Sequence, residues 1–282
     1  MVGYAGTNSR RMRDIATAQP VSIILDSEGI EKRPATVLGV IPARLASTRL
    51  PRKVLRTIAG RPMLAWVYEA AIACPQLTSV VIATDSEEVA DLCHKNNWPV
   101  QLTSSDLPSG TDRVHAVSQQ LPADIYVNIQ GDEPLLKPEH LTALLRPFAK
   151  PNVEVSTLKV LCTPENTTNP NAVKVVTAND GRALYFSRAT IPYDRDLRVH
   201  DGQERNNAAP EYWKHLGLYA YRKATLDRFF SFAPGTLEQT ERLEQLRFLE
   251  NGIDIHVEST DYDTIGVDTE EDLQRVEALL RR

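Results

Sequence analysis

A loop rich in basic residues follows the first apolar segment of the chain. The run Pro42-Ala-Arg-Leu-Ala-Ser-Thr-Arg-Leu-Pro-Arg-Lys53 contains Arg44, Arg49, Arg52 and Lys53. Guanidinium forks and a lysine ammonium suit a highly charged ligand such as a nucleoside triphosphate. The run has neither G-x-G-x-x-G nor G-x-x-x-x-G-K-[ST], which disfavours a dinucleotide fold and a Walker NTPase. A solvated basic loop is the alternative; its position directly after a first α/β strand favours phosphate binding.

A second candidate site is the segment Asn128-Ile-Gln-Gly-Asp-Glu-Pro134. Gly131 allows a sharp turn after an apolar strand, and we expect Asp132 and Glu133 to project above the sheet. A carboxylate there suits Mg²⁺, which takes oxygen ligands from protein, phosphate and water. A turn whose acids cap a helix is an equally good interpretation of this segment alone.

A third candidate is Asp268, in the segment Ile265-Gly-Val-Asp-Thr-Glu-Glu-Asp272. It could be a second metal ligand. Taken alone, however, it is better interpreted as the N-cap of the last helix, with Glu271 at the third helical position.

The elements that would position these residues alternate between strand and helix. Such alternation predicts an α/β fold, a Rossmann-like three-layer αβα sandwich with a mainly parallel sheet. The predicted strands are Val37–Ile41, Ser79–Ala83, Pro99–Leu102 and Asp124–Gln130, and the predicted helices are Pro62–Ala73, Ser86–Asn96, Thr111–Gln120 and Pro138–Phe148. Ligands of doubly wound sheets bind at the carboxyl ends of the strands, where the three candidate segments lie.

The pattern changes after Val153. Asn179-Asp-Gly181 predicts a hairpin turn, and residues 194–212 are polar and predict a mobile excursion. The remaining predicted elements are strands at Val155–Val160, Ala172–Thr177, Trp213–Tyr221 and Asp254–Val257, and helices at Lys223–Phe230, Leu237–Glu250 and Asp268–Arg281.

Composition excludes several classes of protein. The chain has 282 residues and a net charge of −5, which argues against general nucleic-acid binding. No apolar run is long enough to span a membrane. The three cysteines, without a C-x-x-C pair, suit a reducing cytoplasm and predict small buried side chains. We expect residues 1–36 to form a flexible extension or to reflect an upstream start ahead of Met12, and 37–282 to form the functional domain.

From Val37 to the C-terminus, the ordered set of motifs resembles the CMP-Kdo synthetases, cytidylyltransferases that activate the acidic sugar Kdo (3-deoxy-D-manno-octulosonate) for lipopolysaccharide assembly. The first motif alone would also fit enzymes that activate sialic acids. The resembling segments are Ile41–Pro51, Ser109-Gly-Thr-Asp-Arg113, Asn128–Pro134, Asn169-Pro-Asn-Ala-Val-Lys-Val-Val176, Ala183–Pro192, His215-Leu-Gly-Leu-Tyr-Ala-Tyr221, Leu243-Glu-Gln-Leu-Arg247 and Gly266-Val-Asp-Thr269.

The resemblance implies a role for each candidate residue. Arg44 and Lys53, with Arg49, would hold the CTP phosphates, and Asp132 and Asp268 would carry Mg²⁺. The remaining implied contacts are Ser109, Gly110, Arg113 and Gln130 with the nucleotide, and Gln130, Arg188, His215, Tyr219, Glu244 and Gln245 with the sugar.

Each sugar contact also has a plain structural interpretation. Arg188 suits the sugar carboxylate, although a lone arginine is more often a surface ion pair. His215 lies in an apolar strand, where histidines are usually structural. Glu244 and Gln245 could read sugar hydroxyls, or simply form the solvated edge of a helix.

Two positions depart from the family pattern. Arg52 follows the Leu-Pro pair, where the family has glycine, and we expect it to reduce backbone freedom and add charge beside the phosphates. Leu107 stands where the family commonly has histidine before Ser109, which puts one nucleotide contact in doubt.

The implied reaction is attack of the anomeric 2-hydroxyl of Kdo on the α-phosphorus of CTP, with release of pyrophosphate. Positioning and charge neutralisation would dominate, with Arg44, Lys53 and Asp132 as the catalytic residues. The resemblance also implies a homodimer, supported by a smaller dimerisation subregion at Ala183–Tyr221.

Three other functions are compatible with parts of the sequence. The sugar could be 8-amino-Kdo or a nonulosonate. A non-catalytic nucleotide-sugar-binding protein is disfavoured by the joint presence of Arg44, Lys53, Asp132 and Asp268. A GT-A-type glycosyltransferase is disfavoured because its D-x-D motif is absent from the expected strand end.

Overall fold

The computed structural model describes residues 33–45, 49–195 and 210–281. Its strands are β1 Val37–Pro42, β2 Thr57–Ile58, β3 Arg61–Pro62, β4 Ser79–Thr84, β5 Val100–Leu102, β6 Ile125–Asn128, β7 Val155–Leu161, β8 Lys174–Thr177, β9 Ala183–Ser187, β10 Trp213–Arg222 and β11 Ile255–Ser259. Its helices are α1 Met63–Ile72, α2 Glu87–Lys95, α3 Gly110–Ser118, α4 Pro138–Leu145, α5 Pro164–Thr168, α6 Lys223–Phe229, α7 Thr236–Glu241, α8 Leu246–Glu250 and α9 Glu270–Leu280.

The main sheet runs in the order β11-β7-β10-β6-β1-β4-β5, and β8 and β9 extend it from β10. The predicted parallel core is confirmed: β6, β1, β4 and β5 are mutually parallel, as are β7 and β11. β10 is antiparallel to both β6 and β7, a direction that the sequence did not indicate.

Helices cover both faces of this sheet, which confirms the predicted three-layer fold. In β1, Val37 and Ile41 pack on one face together with residues of α1, α2 and α4. Leu38 and Val40 pack on the other face, with residues of α3, α6 and α8. This alternation of buried side chains follows the two-residue period of a strand.

The predicted hairpin is confirmed, because β8 and β9 pair antiparallel across the Asn179-Asp-Gly181 turn. Gly181 has φ +88°, a backbone conformation that favours glycine.

The prediction of one helix over Leu237–Glu250 is wrong. Arg242 adopts a left-handed conformation at φ 55° and ends α7, and α8 begins at Leu246. The ion pair of Arg247 with Glu238 connects the two short helices. As a result, Glu244 and Gln245 lie in the turn between them rather than on a helical face.

Residues 33–36, which precede the predicted boundary at residue 37, also contact the domain. Arg33 pairs with Asp124 at 2.8 Å, and the Thr36 amide donates to the same carboxylate at 2.7 Å. Residues 1–32 of the predicted extension and 196–209 of the predicted excursion lie outside the described residues. Among the helices that are described, none is long and apolar enough to cross a membrane.

Candidate active site

Three adjoining cavities lie at the carboxyl ends of β1 and β6, alongside the antiparallel strand β10. We call them the cation-lined, tyrosine and outer cavities, with volumes of about 350, 210 and 710 Å³. Gly110 and Gln130 line both the cation-lined and the tyrosine cavity. Gly217 and Gln245 line both the tyrosine and the outer cavity. The three therefore form one cleft in which two ligands could meet.

Asp132 and Asp268 converge in the cation-lined cavity. The Val267 amide donates to the Asp132 carbonyl at 3.0 Å, which joins the loop after β6 to the loop before α9. Gly131 is needed here because a Cβ would lie 2.7 Å from the Pro42 carbonyl oxygen. The glycine lies in a turn, as expected, and permits a close approach of this loop to the end of β1.

The two carboxylates share a lysine. Lys53 Nζ lies 2.5 Å from Asp132 Oδ2 and 2.9 Å from Asp268 Oδ1. Burial alone would lower the pKa of Lys53, but the two carboxylates together raise it above its ordinary value. Arg49 binds the other oxygen of Asp268 at 2.9 Å. Two of the predicted phosphate ligands therefore neutralise the predicted metal ligands.

This arrangement fits a divalent cation bound with a phosphate ligand. An ammonium that bridges both carboxylates demonstrates that they face a common point at which positive charge is stabilised. Within the described residues, no cluster of three or more histidine, cysteine or acidic side chains has metal-binding geometry. The protein would therefore supply Asp132 and Asp268, and phosphate and water would supply the rest, as is usual for Mg²⁺.

The helix cap at α9 is displaced by one residue from the alternative considered above. Thr269 is the N-cap, and its hydroxyl and amide bond to Asp272, which closes a capping box. Asp268 precedes the cap, so its carboxylate is available to the cavity.

The remaining basic residues of the loop differ in their surroundings. Arg44 lines the cation-lined cavity, and its guanidinium approaches the Leu107 carbonyl at 3.4 Å. This contact uses the backbone, so it does not depend on the side chain at that position. Arg52 adopts a left-handed conformation at φ 57° and pairs with Glu88 of α2. Arg52 lines none of the three cavities, so the structure does not support the expectation that it adds charge beside the phosphates.

Arg113 lies near the site, but its side chain does not line a cavity. Its side chain is fully buried and binds Asp85 at 2.6 Å, Thr103 Oγ1 at 2.5 Å and the Ser104 carbonyl at 3.3 Å. Arg113 therefore ties α3 to the ends of β4 and β5 and does not line any of the three cavities. A direct contact with the nucleotide has no support from this position.

Ser109 and Gly110 form the start of α3, which points at the cleft. Ser109 is the N-cap, and its hydroxyl accepts from the Asp112 amide at 3.2 Å. Gln130 Nε2 donates to the Gly217 carbonyl at 3.1 Å, which fixes the amide between the cation-lined and tyrosine cavities. The nearby helix N-terminus favours an anionic ligand at this junction.

Tyr219, Glu244 and Gln245 all line the tyrosine cavity. Burial raises the pKa of Glu244, although hydrogen bonds from Thr111 and Ser109 oppose this shift. Gln245 Nε2 is a buried donor for which the described residues provide no acceptor. Because leaving such a donor unpaired is costly, a bound hydroxyl is a natural partner.

Arg188 and His215 line the outer cavity. The Arg188 guanidinium donates to the carbonyls of Glu241 at 2.7 Å and Pro170 at 3.1 Å, which holds it rigidly. His215 Nε2 lies 3.0 Å from Thr157 Oγ1. Burial lowers the pKa of His215 to about 3, so the ring is neutral at ordinary pH.

Several residues at the cleft were missed from the sequence. Tyr221 lies two residues after Tyr219 on β10, so strand periodicity could have placed both rings on one face. They stack with centroids 5.8 Å apart. Thr111 and Asn128 also line the tyrosine cavity; they lie within resembling segments but were given no role. Phe248, on α8, had no distinguishing sequence signal.

Comparisons with known proteins identify the family. A family model described as Cytidylyltransferase matches residues 38–255. The 3-deoxy-manno-octulosonate cytidylyltransferase of Acidobacterium capsulatum is 64% identical over 86% of this chain and 96% of the relative. The enzyme of the same name from Koribacter versatilis is 58% identical over 89% of this chain and 93% of the relative.

A solved structure gives the same result. The CMP:2-keto-3-deoxy-manno-octonic acid synthetase, determined as a complex with CTP, is 37% identical and has a TM-score of 0.81. The match covers 88% of this chain and 99% of that protein. Identity at this level over nearly the whole of each relative establishes common descent. The chain belongs to the 3-deoxy-manno-octulosonate cytidylyltransferase family.

Proposed function

We propose that this protein transfers the cytidylyl group of CTP to the 2-hydroxyl of Kdo, which yields CMP-Kdo and pyrophosphate for lipopolysaccharide assembly. The observation that carries the proposal is the convergence of Lys53, Asp132 and Asp268 beside Gln130, where the cavities of the cleft adjoin. Family membership supports the choice of both substrates.

In this proposal the cation-lined cavity binds the triphosphate. Arg44, Arg49 and Lys53 bind its oxygens, and Asp132 and Asp268 hold Mg²⁺. The bound Mg²⁺ supplies charge neutralisation at the α-phosphate and acidifies the attacking hydroxyl. Phosphate oxygens would bind Lys53 and Arg49, and the carboxylates of Asp132 and Asp268 would then be free to hold Mg²⁺.

The tyrosine and outer cavities bind the sugar. Arg188 receives its carboxylate, and Glu244 and Gln245 bind its hydroxyls. Because His215 is neutral, it can form a hydrogen bond with a sugar hydroxyl, and its ring does not repel the positive charge of Arg188. The hydroxyl that reacts then lies near Gln130, and the transfer proceeds in line without a covalent enzyme intermediate.

We also propose a cytoplasmic homodimer. Leu184 and Tyr193, in the subregion Ala183–Tyr221, are exposed to 62% and 72%, and apolar surface of this kind favours association. Light scattering of the purified protein would give the mass of a dimer, and a monomer at all concentrations would refute this part.

The test of the function is pyrophosphate release from CTP with Mg²⁺ and Kdo, with 8-amino-Kdo and sialic acid in parallel and EDTA as a control. We expect metal-dependent release with Kdo. Release with only one of the other sugars would contradict the Kdo assignment but preserve cytidylyl transfer. Absence of release with all three would refute the proposed function.

A further inference from the structure

Lys174 is a lysine without solvent exposure at the edge of the outer cavity. Its Nζ donates to the carbonyls of Asn169 at 2.8 Å, Ala172 at 2.7 Å and Arg188 at 2.9 Å. The ammonium has three donors, and all three are used. A buried cation without such partners would be strongly destabilising, so these bonds determine where the ammonium lies.

The three acceptors belong to the wall of the outer cavity. Asn169, Ala172 and Arg188 all line it. Arg188 in turn donates from its guanidinium to Pro170, which lies between the first two acceptors in sequence. Lys174 and Arg188 thus hold the segment 169–172 from two sides, and Lys174 also holds the main chain of Arg188.

The cluster formed by Lys174, Arg188 and Glu241 carries excess positive charge. Within the described residues, no salt bridge joins Lys174 or Arg188 to a carboxylate. One carboxylate, that of Glu241, bonds to the Ser187 hydroxyl at 2.6 Å and the Arg188 amide at 2.9 Å. Two cations against one carboxylate leave the cluster with one positive charge. This charge lies beside the part of the cavity wall that Arg188 forms, where it favours an anionic group of the ligand.

We propose that Lys174 is a positioning residue for the acidic sugar: its buried ammonium fixes Arg188 and the segment 169–172, and its charge attracts the sugar carboxylate. This inference rests on the proposed function and adds to it a residue that does not itself touch the substrate. In this proposal the two lysines have different roles: Lys53 faces the nucleotide, and Lys174 acts only on the sugar side.

The test uses two variants, Lys174→Met and Lys174→Gln. Methionine removes the charge and all three hydrogen bonds, whereas glutamine removes the charge and keeps two N–H donors for the carbonyls. We expect the KM for Kdo to rise about 10-fold in each, because a charge-assisted interaction is weakened. The KM for CTP should stay unchanged. Lys95→Met, at an exposed position on α2, is the control for loss of a remote positive charge.

A purely structural role is distinguished with the carboxamide analogue of Kdo, which lacks the negative charge. We expect Lys174→Gln to lose less affinity for this analogue than for Kdo, measured by calorimetry in the presence of CTP. Equal weakening of the analogue and of Kdo, or equal changes in the KM values for CTP and Kdo, would overturn the proposal. If Lys174→Met does not fold, the measurements on Lys174→Gln still test the proposal.

The outcome is separable from that of the proposed function. If wild-type protein does not use Kdo, the function fails, and the variants are then compared on the acidic sugar that it does use. An unchanged KM for that sugar in a folded Lys174→Gln protein would refute the role of Lys174 alone.

Discussion

The cation-lined and outer cavities both hold basic residues, but the partners of these residues differ. In the cation-lined cavity, Lys53 and Arg49 are paired with the carboxylates of Asp132 and Asp268. In the outer cavity, Arg188 is bound to backbone carbonyls. Lys53 and Arg49 are thus neutralised by carboxylates, whereas Arg188 is held rigidly by neutral carbonyl groups.

This difference indicates how each cavity would meet its ligand. Cations paired with carboxylates can be transferred to phosphate when a metal ion takes the carboxylates, so triphosphate and metal should bind together. A guanidinium held by carbonyls is already oriented, so little ordering remains to be done when a carboxylate arrives. The nucleotide side is therefore expected to depend on metal and salt, and the sugar side on fixed geometry.

The largest effect is expected for Asp132→Asn. Removal of a metal ligand should lower kcat about 1000-fold, because several kcal/mol of charge stabilisation in the transition state are lost. The circular dichroism spectrum should be unchanged. Asp91→Asn, at an exposed position on α2, is the matched control. Substantial turnover by a folded Asp132→Asn protein would contradict the metal assignment.

Arg188→Met should weaken binding of the sugar and leave binding of the nucleotide unchanged. We expect the KM for Kdo to rise about 100-fold, as for loss of a charge-assisted carboxylate contact, and the Kd for CTP to remain unchanged. Steady-state kinetics and calorimetry give the two values. A parallel loss of CTP affinity would show that the two cavities are not independent.

Lys53→Met should instead weaken binding of the nucleotide. CTP affinity in the presence of Mg²⁺ should fall about 10-fold, and its dependence on salt should become weaker, because one cation no longer contacts phosphate. Calorimetry across a salt series measures both. Tighter binding of CTP by the variant would contradict a phosphate role for Lys53.

The smallest effect concerns His215 and pH. Its pKa is about 3 in the folded state, below the ordinary value of 6.5, so the unfolded state binds more protons between these values. Stability is complete above about pH 6.5 and is lost as pH falls, by at most about 2 kcal/mol at pH 5. In His215→Asn, urea unfolding should show a smaller loss between about pH 7 and pH 5. Equal losses would refute this assignment.

Much of the fold and of the nucleotide side could be predicted from the sequence. Apolar runs such as Val37–Ile41 and turn residues such as Gly181 specify local structure, and the carboxyl ends of the strands then locate the site. The basic loop and Asp132 were found because their chemistry depends on residue type and on position after a strand.

The remaining features depend on tertiary contacts. The sequence does not reveal that Arg113 points inward to Asp85, because both faces of α3 are partly covered. The left-handed conformation of Arg242 opposes its intrinsic helix propensity, and the helix therefore ends where none of the usual residues predicts it. The role of Lys174 follows only from three carbonyls that folding brings together.

The most direct test of the central claim follows the phosphorus atoms of CTP. Wild-type protein is incubated with Mg²⁺, Kdo and CTP labelled at either the α- or the γ-phosphate, and the products are separated. The account predicts that the α-label appears in the sugar nucleotide and the γ-label in pyrophosphate. Transfer of the γ-label to the sugar, or failure of either label to move, would contradict cytidylyl transfer by this site.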